Sequence, residues 1–203
     1  MTDMKFNIVN TKKAYDGFCK IFKIGFQHEQ FDGSTGNIKE HELFVRHPCV
    51  GVLPYNPHTK EVILIKQFRI GALDPLNNFK PSFDPWLLEI VAGIIDTEES
   101  FEKTAIRECE EEAGCNISRL IPMYDYLVSP GANNERIKLY CGIFEHPYNP
   151  GLFGLAHESE DIKTYLMSLD EAQKLLDSGK ICNAASIVAL QWLIINQNKI
   201  LDL

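Results

Sequence analysis

The sequence has little of what marks secreted, membrane-spanning or disulfide-stabilised proteins. Its six cysteines are scattered without C-x-x-C spacing, so we predict neither a disulfide framework nor a zinc site, and we expect a reducing compartment. The longest apolar run, Ile187 to Ile195, is too short to span a bilayer and contains Gln191. Residues 1–13 lack the apolar core of a signal peptide. We therefore expect a soluble, cytoplasmic protein with no membrane partner.

Basic residues are also in short supply. Lys and Arg total 20 against 28 Asp and Glu, which gives a formal net charge of −8 and argues against a nucleic-acid partner. The charge does not exclude a phosphate-bearing substrate, because a bound metal ion can invert the local sign. With 203 residues, of which 45% are apolar, the chain can build one ordinary domain or one domain with a small addition.

The stretch from Gly93 to Cys115 (GIIDTEESFEKTAIRECEEEAGC) is typical of a turn followed by a short helix. Ser100 is a candidate N-cap, and Gly114 is placed to end the helix as a C′ glycine. At about 100° per residue the helix presents one apolar stripe. The predicted members of this stripe are Phe101, Ala105, Ile106, Cys109 and Ala113.

Carboxylates crowd one flank of this predicted helix. Glu108 and Glu112 lie one turn apart, Glu111 shares their flank, and Arg107 is placed to bridge to Glu111. Each like-charge pair costs a few tenths of a kcal/mol, and the C-terminal end of a helix favours cations. A hard divalent cation such as Mg²⁺ or Mn²⁺ would remove this penalty. The alternative is a solvated acidic helix face.

This stretch resembles the Nudix box, G-x5-E-x7-R-E-U-x-E-E-x-G-U, in which U is a bulky apolar residue. The fixed positions are matched by Gly93, Glu99, Arg107, Glu108, Glu111, Glu112 and Gly114. Cys109 and Cys115 fill the two U positions, which is a mild departure because buried cysteine behaves as a small hydrophobe. The resemblance implies an α+β fold, namely an α/β/α Nudix sandwich with a mixed sheet, preceded here by a small N-terminal antiparallel β domain.

Residues 1–47 are predicted to be β-rich, with a hairpin from Phe18–Phe26 and Lys39–Arg46 that needs a partner sheet. Residues 48–203 form the predicted hydrolase domain. In it we expect a strand over Trp86–Ala92, a helix opened by the capping box at Ser168 and a last helix capped by Asn183. The long segment of residues 71–85 is predicted to be a functional or flexible loop.

The likeness extends beyond the box to the ADP-ribose pyrophosphatase branch of the Nudix family. Pro130 lies sixteen residues after Gly114, within the motif Ser129–Arg136 (SPGANNER). Further matching segments are Trp86–Glu89, Gly154–Asp161 and Asn183–Ser186. The resemblance implies Mg²⁺-dependent hydrolysis of ADP-ribose to AMP and ribose 5-phosphate. It also implies a domain-swapped homodimer that forms through residues 1–47. The alternatives are a pyrophosphatase for another nucleotide sugar, such as GDP-mannose or a UDP-sugar, and a non-catalytic ADP-ribose-binding module.

The resemblance also implies roles for acidic residues. The metal ions would be held by Glu108, Glu112 and the backbone carbonyl of Ala92, with Glu111 as a third, catalytic carboxylate. Glu158 matches the general base, and Glu160 is an alternative base or a metal ligand. A loop that carries these two glutamates could close over the substrate.

Five residues are candidates for substrate binding by the same resemblance. Arg69 suits a diphosphate; the alternative is a surface ion pair with a neighbour such as Glu89, and both could hold together. Phe18 and Trp86 are candidates to pack against adenine, and the alternative for each is a core position.

The remaining two candidates lie in the β-rich segment and in the SPGANNER motif. Glu135, with Arg136, is expected to structure its loop and is also a candidate contact to substrate. His41 stands where relatives often carry an arginine that reaches the partner's site, and a histidine would contact phosphate or ribose more weakly. The loop of residues 71–85 is longer than in those relatives and could reshape the base pocket.

Overall fold

Three strands near the N-terminus form an antiparallel sheet in the computed structural model, which describes residues 4–95 and 98–202. They are β1 (Phe6–Asp16), β2 (Lys20–His28) and β3 (Lys39–Val45), with β2 in the centre. The hairpin predicted from Phe18–Phe26 and Lys39–Arg46 corresponds to β2 and β3. Strand β1 gave no clear alternation in the sequence, because every one of its side chains is exposed.

This sheet belongs to one compact unit, which contains the described residues of Met1–Pro48 together with Leu127–Arg136. The second segment is fixed to β3 by its backbone and its side chains. Phe44 N–H donates to the carbonyl of Ala132 at 2.9 Å, and Arg46 N–H donates to the side chain of Asn134 at 2.7 Å. The SPGANNER motif is therefore a loop held by hydrogen bonds within this unit.

A second compact unit contains the described residues of Cys49–Tyr126 and Ile137–Leu203 and is built on a mixed sheet. The strands of this sheet are β4 (Cys49–Asn56), β5 (Glu61–Phe68), β8 (Trp86–Glu89), β9 (Val91–Ile94), β10 (Arg119–Leu127), β11 (Arg136–Ile143), β12 (Leu152–Phe153) and β13 (Ile162–Ser168). A two-strand hairpin of β6 (Leu73–Asp74) and β7 (Lys80–Pro81) lies between β5 and β8. The order along the sheet is β10-β11-β4-β5-β13-β12, and β11 runs parallel to β4 while β13 runs antiparallel to β5.

Strands β4 and β5 separate after their shared turn, and the next segment pairs with both. The predicted single strand Trp86–Ala92 is in fact two strands, because β8 pairs with β5 and β9 pairs with β4. Ile90 lies at the change of partner, where its N–H donates to the hydroxyl oxygen of Ser186 at 2.9 Å. This change places Glu89 beside β5 and Ala92 beside β4.

Helices cover both faces of the mixed sheet. Helix α1 (Phe101–Ala113) packs on one face over a core that includes Ile63, Ile65 and Cys109. Helices α2 (Leu169–Asp177) and α3 (Ala184–Asn196) contribute to the other core. Ser168 and Glu171 form the predicted capping box at the start of α2. These layers confirm the predicted α/β/α sandwich.

The segment of residues 71–85 is ordered into short elements rather than left as an open loop. The hairpin of β6 and β7 turns at Asn78 and Phe79, both of which have positive φ angles (52° and 57°). Asp74 caps the short turn Pro75–Asn77 by accepting from Leu76 N–H.

In the described part of the chain, no helix combines the length and the apolar character that a bilayer crossing requires.

Candidate functional site

Helix α1 is capped at both ends as its sequence predicts. The hydroxyl of Ser100 accepts from Lys103 N–H at 3.3 Å, and Gly114 adopts a φ of 58° while its N–H donates to the carbonyl of Glu110 at 2.9 Å. The predicted apolar stripe needs one correction, because Ile106 is 45% exposed and Thr104 is buried in its stead. Thr104 is tolerated there because its hydroxyl donates to Glu99 at 3.0 Å.

Arg107 is the centre of an ion-pair cluster on this helix. Its Nη2 lies 2.9 Å from Glu108, its Nε lies 3.2 Å from Glu99, and its Nη1 pairs with Glu111. The predicted bridge between Arg107 and Glu111 is thus present as part of a larger set. A single guanidinium holds three carboxylates in place, which fixes the acidic flank of α1.

Gly93 serves a different purpose from the predicted one. The sequence indicated a turn at this position, whereas Gly93 lies inside β9. The reason for glycine is a close approach, because a Cβ atom there would lie 2.1 Å from Cδ of Glu108. The side chain of Glu108 therefore occupies the space that any other residue at position 93 would fill.

Glu112 is almost completely buried. It is 3% exposed, and its Oε2 accepts from Ala92 N–H at 2.9 Å. Burial raises the pKa of Glu112 to about 8, the Ala92 N–H opposes this rise, and the charges of Glu108 and Glu160 add to it. Burial likewise raises the pKa of Glu108 to about 7, against the opposing charge of Arg107.

The two candidate bases occupy different positions. Glu160 accepts from Leu155 N–H at 3.0 Å and lies close enough to Glu108 and Glu112 for its charge to raise the pKa of both. Glu158 lies in the exposed turn Ala156–Glu158, and its side chain is 57% exposed. Glu158 lines an open cavity of about 640 Å³ together with Glu98, Glu99, Arg107, Glu111, Leu155 and His157.

Gly154 holds the segment that carries these glutamates against α1. Its N–H donates to the carbonyl of Glu111 at 3.2 Å, and its φ of +103° favours glycine. A Cβ atom at this position would lie 2.7 Å from Cβ of Glu160. Residues 154–160 are thus anchored to the end of α1 by Gly154, and Glu160 packs closely against the same glycine.

The donor set suits a hard divalent cation. The negative charge of Glu160 adds to the raised pKa of both Glu108 and Glu112, and neighbouring positive charge would relieve this repulsion. Across residues 4–95 and 98–202, no three His, Cys, Asp or Glu side chains converge closely enough to ligate one ion. Arg107 is the cation that pairs with Glu108 here. The residues fit a metal ion chemically, and binding would require Glu108 to exchange at least part of this ion pair.

The close approach at Gly93 gives a prediction about this set. Gly93→Ala places a methyl group against Glu108, so we expect the affinity for Mn²⁺ to fall about 10- to 100-fold because this predicted ligand is displaced. We expect the free energy of unfolding to fall by no more than about 1–3 kcal/mol, because the clashing atoms are the end of a flexible side chain. Calorimetric titration with Mn²⁺ and thermal unfolding measure the two effects.

A matched control is Gly71→Ala, since a Cβ at Gly71 meets no atom within 4 Å. This variant should bind Mn²⁺ with wild-type affinity. Wild-type affinity in Gly93→Ala as well would contradict the assignment of Glu108 as a metal ligand.

Arg69 and Glu89 form a salt bridge beside the acidic cluster. Nε of Arg69 lies 2.7 Å from the carboxylate of Glu89, which is 5% exposed and also accepts from Asn183 Nδ2 at 2.6 Å. The pairing that the sequence offered as an alternative for Arg69 is therefore present. The arginine side chain remains 41% exposed, and its charge opposes the rise that burial causes in the pKa of Glu112. The sequence identified Asn183 only as the cap of α3, and its hydrogen bond to Glu89 is visible only in the fold.

Trp86 lies at the start of β8 and is 53% exposed. Its ring packs edge-on against Phe68, with ring centroids 5.3 Å apart. Trp86 lines a cavity of about 600 Å³ whose wall includes residues of α2 and the loop before β8. Trp86 is therefore not a core residue and is available to a ligand.

The other three candidates belong to the unit of β1–β3. Phe18 lies between β1 and β2 and is 91% exposed. His41 lies on β3, where its ring meets the ring of Phe26 edge-on at 5.0 Å. Glu135 pairs with Arg46 at 3.2 Å, which agrees with a role in structuring its loop.

Comparison with known proteins gives a consistent set of relatives. The family model of the NUDIX domain matches residues 45–187. The ADP-ribose pyrophosphatase of Escherichia coli is 40% identical over 186 residues, which cover 92% of this chain and 86% of the relative. The ADP-ribose pyrophosphatase of Haemophilus influenzae is 35% identical over 189 residues, which cover 93% of this chain and 86% of the relative.

More distant matches share the fold. The GDP-mannose pyrophosphatase of Klebsiella pneumoniae is 23% identical over 190 residues, which cover 94% of this chain and 92% of the relative. A crystal structure of an ADP compounds hydrolase superposes with a TM-score of 0.70 at 19% identity, and the match covers 96% of this chain and 95% of that one. The mixed sheet and its three surrounding helices, as seen in the described residues, have a counterpart in that structure.

Proposed function

Because the chain belongs to the Nudix family, we propose that it is a divalent-metal-dependent hydrolase that splits ADP-ribose into AMP and ribose 5-phosphate. The observation that carries this proposal is the cluster of Glu108, Glu112 and Glu160 with Arg69 at its edge. A cation-binding acidic cluster beside an exposed arginine suits a diphosphate, since the arginine and the cation both bind phosphate oxygens. The relatives named ADP-ribose pyrophosphatase, at 35–40% identity, support this substrate.

The reaction adds water across the diphosphate. The oxygen of water attacks one phosphorus, and the bond from that phosphorus to the bridging oxygen breaks. The bridging oxygen leaves with the other phosphate, and a proton of water passes to a base. Glu108, Glu112 and the carbonyl of Ala92 would hold the ion, which we propose is Mg²⁺ or Mn²⁺. When bound, the ion supplies positive charge that neutralises the diphosphate and polarises the attacking water.

We assign the remaining acids from their positions. Glu158, exposed on the cavity wall, takes the proton from water, because it is free to approach a bound ligand. Glu160 adds negative charge to the ion site, since it interacts with Glu108 and Glu112. Glu111 is tied to Arg107 and holds that guanidinium in place rather than acting on water.

Another nucleotide sugar is the second candidate substrate. The distant relatives named GDP-mannose pyrophosphatase favour it, as does the ordered hairpin in residues 71–85, which precedes Trp86 in the chain. We propose Trp86, Phe18, His41 and Glu135 as further contacts to the nucleotide or the sugar. The length of the hairpin segment would then influence which base is accepted.

A substrate panel tests the proposed function. ADP-ribose, GDP-mannose and a UDP-sugar are incubated with the protein and Mg²⁺, and release of each nucleoside monophosphate is measured. We expect kcat/KM to be highest for ADP-ribose and activity to vanish when EDTA removes the ion. Faster release of GMP or UMP would replace ADP-ribose by the second candidate, and tight ADP-ribose binding without any product would point to a binding module.

We also propose that residues 1–47 make a homodimer and that the protein acts in the cytoplasm. Strand β1 supports the first proposal, because Phe6 and Tyr15 on this edge strand are 75% and 58% exposed. Free thiols at all six cysteines agree with a reducing compartment. Sedimentation equilibrium measures the mass in solution, and a monomer at micromolar concentration would contradict the dimer.

A further inference from the structure

A buried donor without a partner lies on strand β5, next to the site. Gln67 is 9% exposed, and its side-chain Nε2 is buried without a hydrogen-bond partner in the described part of the chain. Buried polar groups in folded proteins are almost always hydrogen-bonded, because an unsatisfied group costs free energy. A buried glutamine amide without a partner therefore points to an acceptor that arrives from outside the chain.

The alternation of β5 sets the direction of this donor. Gln67 shares a face with Ile63 and Ile65, whose side chains pack into the core beneath α1. Arg69, two residues further on, pairs with Glu89 and influences Glu112, which lies on α1. Gln67 is thus directed toward the α1 side of the sheet, as the site is.

The neighbouring strands place the same residue between two parts of the site. On one side Leu87 lies opposite Gln67, and Glu89 lies opposite Ile65. On the other side Lys163 lies opposite Lys66, so the start of β13, two residues after Glu160, is next to Gln67. Gln67 therefore lies on the strand between β8, which carries Glu89, and β13, which follows Glu160.

We propose that Gln67 is a substrate-binding residue whose side-chain amide donates a hydrogen bond to a phosphate oxygen of the bound nucleotide sugar, beside Arg69. This role rests on the proposed function and adds a recognition group to it. Phosphate oxygens are strong, charged acceptors, and the side-chain Nε2 of Gln67 has no competing acceptor among the described residues. Binding would satisfy the amide that the ligand-free protein leaves without an acceptor.

Gln67→Met tests this role, since methionine has a similar shape and no polar donor. We expect KM for ADP-ribose to rise about 10- to 100-fold, as loss of a hydrogen bond to a charged group requires. The unfolding midpoint of the ligand-free variant should equal or exceed that of the wild type, because an unsatisfied donor is removed. Calorimetry with ADP-ribose in the Glu112→Gln background, with and without Gln67→Met, measures affinity apart from turnover.

Gln173→Met, an exposed glutamine of α2, is the matched control and should bind ADP-ribose as its parent does. Unchanged affinity in Gln67→Met, or a midpoint several degrees lower, would overturn the proposal, since the latter means that the amide has a structural partner. Turnover by the wild type tests the proposed function separately. If the panel selects GDP-mannose, the same comparison is made with GDP-mannose.

Discussion

Glu112→Gln is expected to lower the rate of AMP release from ADP-ribose by roughly 10³-fold, while the protein stays folded. The substitution removes one negative charge from the ion site and keeps the shape of the side chain. Its amide oxygen can still accept from Ala92 N–H, the hydrogen bond that holds Glu112 at 2.9 Å. The measurement is turnover at saturating Mg²⁺, together with circular dichroism and the unfolding midpoint.

Glu110→Gln is the control, because it replaces glutamate by glutamine at an exposed position of the same helix. It should retain wild-type turnover within a factor of about two, as expected for a surface substitution that leaves packing unchanged. If Glu112→Gln also kept its rate at high Mg²⁺, the metal assignment would be wrong.

The same variant should change how stability depends on pH in metal-free buffer. Burial raises the pKa of Glu112 to about 8, so between its ordinary value and pH 8 the folded state binds more protons than the unfolded state. The wild type therefore loses stability as the pH rises through this window, whereas a glutamine has no proton to lose. We expect a flatter curve of unfolding midpoint against pH, from pH 5 to 9, in Glu112→Gln, and parallel curves would contradict the buried acid.

Glu158→Gln and Glu160→Gln should both be poorly active, for different reasons. In Glu158→Gln we expect kcat to fall about 10²- to 10⁴-fold with unchanged affinity for Mn²⁺, because the variant loses a base but no ion ligand. In Glu160→Gln we expect the affinity for Mn²⁺ to fall about tenfold or more, because charge next to Glu108 and Glu112 is lost.

Titration with Mn²⁺ and a pH–rate profile separate the two variants. Loss of the acidic limb of the profile in Glu158→Gln alone would support its role as base. The reverse pattern, with weakened ion binding in Glu158→Gln and a lost limb in Glu160→Gln, would exchange the two assignments.

The sequence predicted the elements that obey a local rule. Spacing predicted the caps of α1 and α2 and the salt bridge from Arg107 to Glu111. The motif predicted the layered α+β architecture. Strand β1 was not singled out because exposed strands carry no alternation of polar and apolar residues. The division of the predicted strand Trp86–Ala92 into β8 and β9 was also missed, since it follows from pairing with two different strands and is accompanied by a hydrogen bond from Ile90 to Ser186, 96 positions away.

Contacts over long sequence distances explain what else was missed at the site. Gly93 looked like a turn residue because the side chain of Glu108 that fills its space lies fifteen positions later. Gln67 was not singled out in the sequence, because it follows Lys66 near the end of its strand and only its burial in the fold marks it. Asn183 was identified as a helix cap, which it is, and its second hydrogen bond to Glu89 required the fold.

The change of partner at Ile90 has a consequence for how such an enzyme could diversify. Glu89, which holds Arg69, and Ala92, which would face the ion, are three residues apart on one extended segment, a span of about 10 Å. If Arg69 binds the diphosphate and Ala92 faces the ion, as we propose, this stretch sets the distance between the two contacts. Adding or deleting one residue there would turn every later side chain to the opposite face, so we expect changes of specificity to lie in the surrounding loops, which leave this distance unchanged.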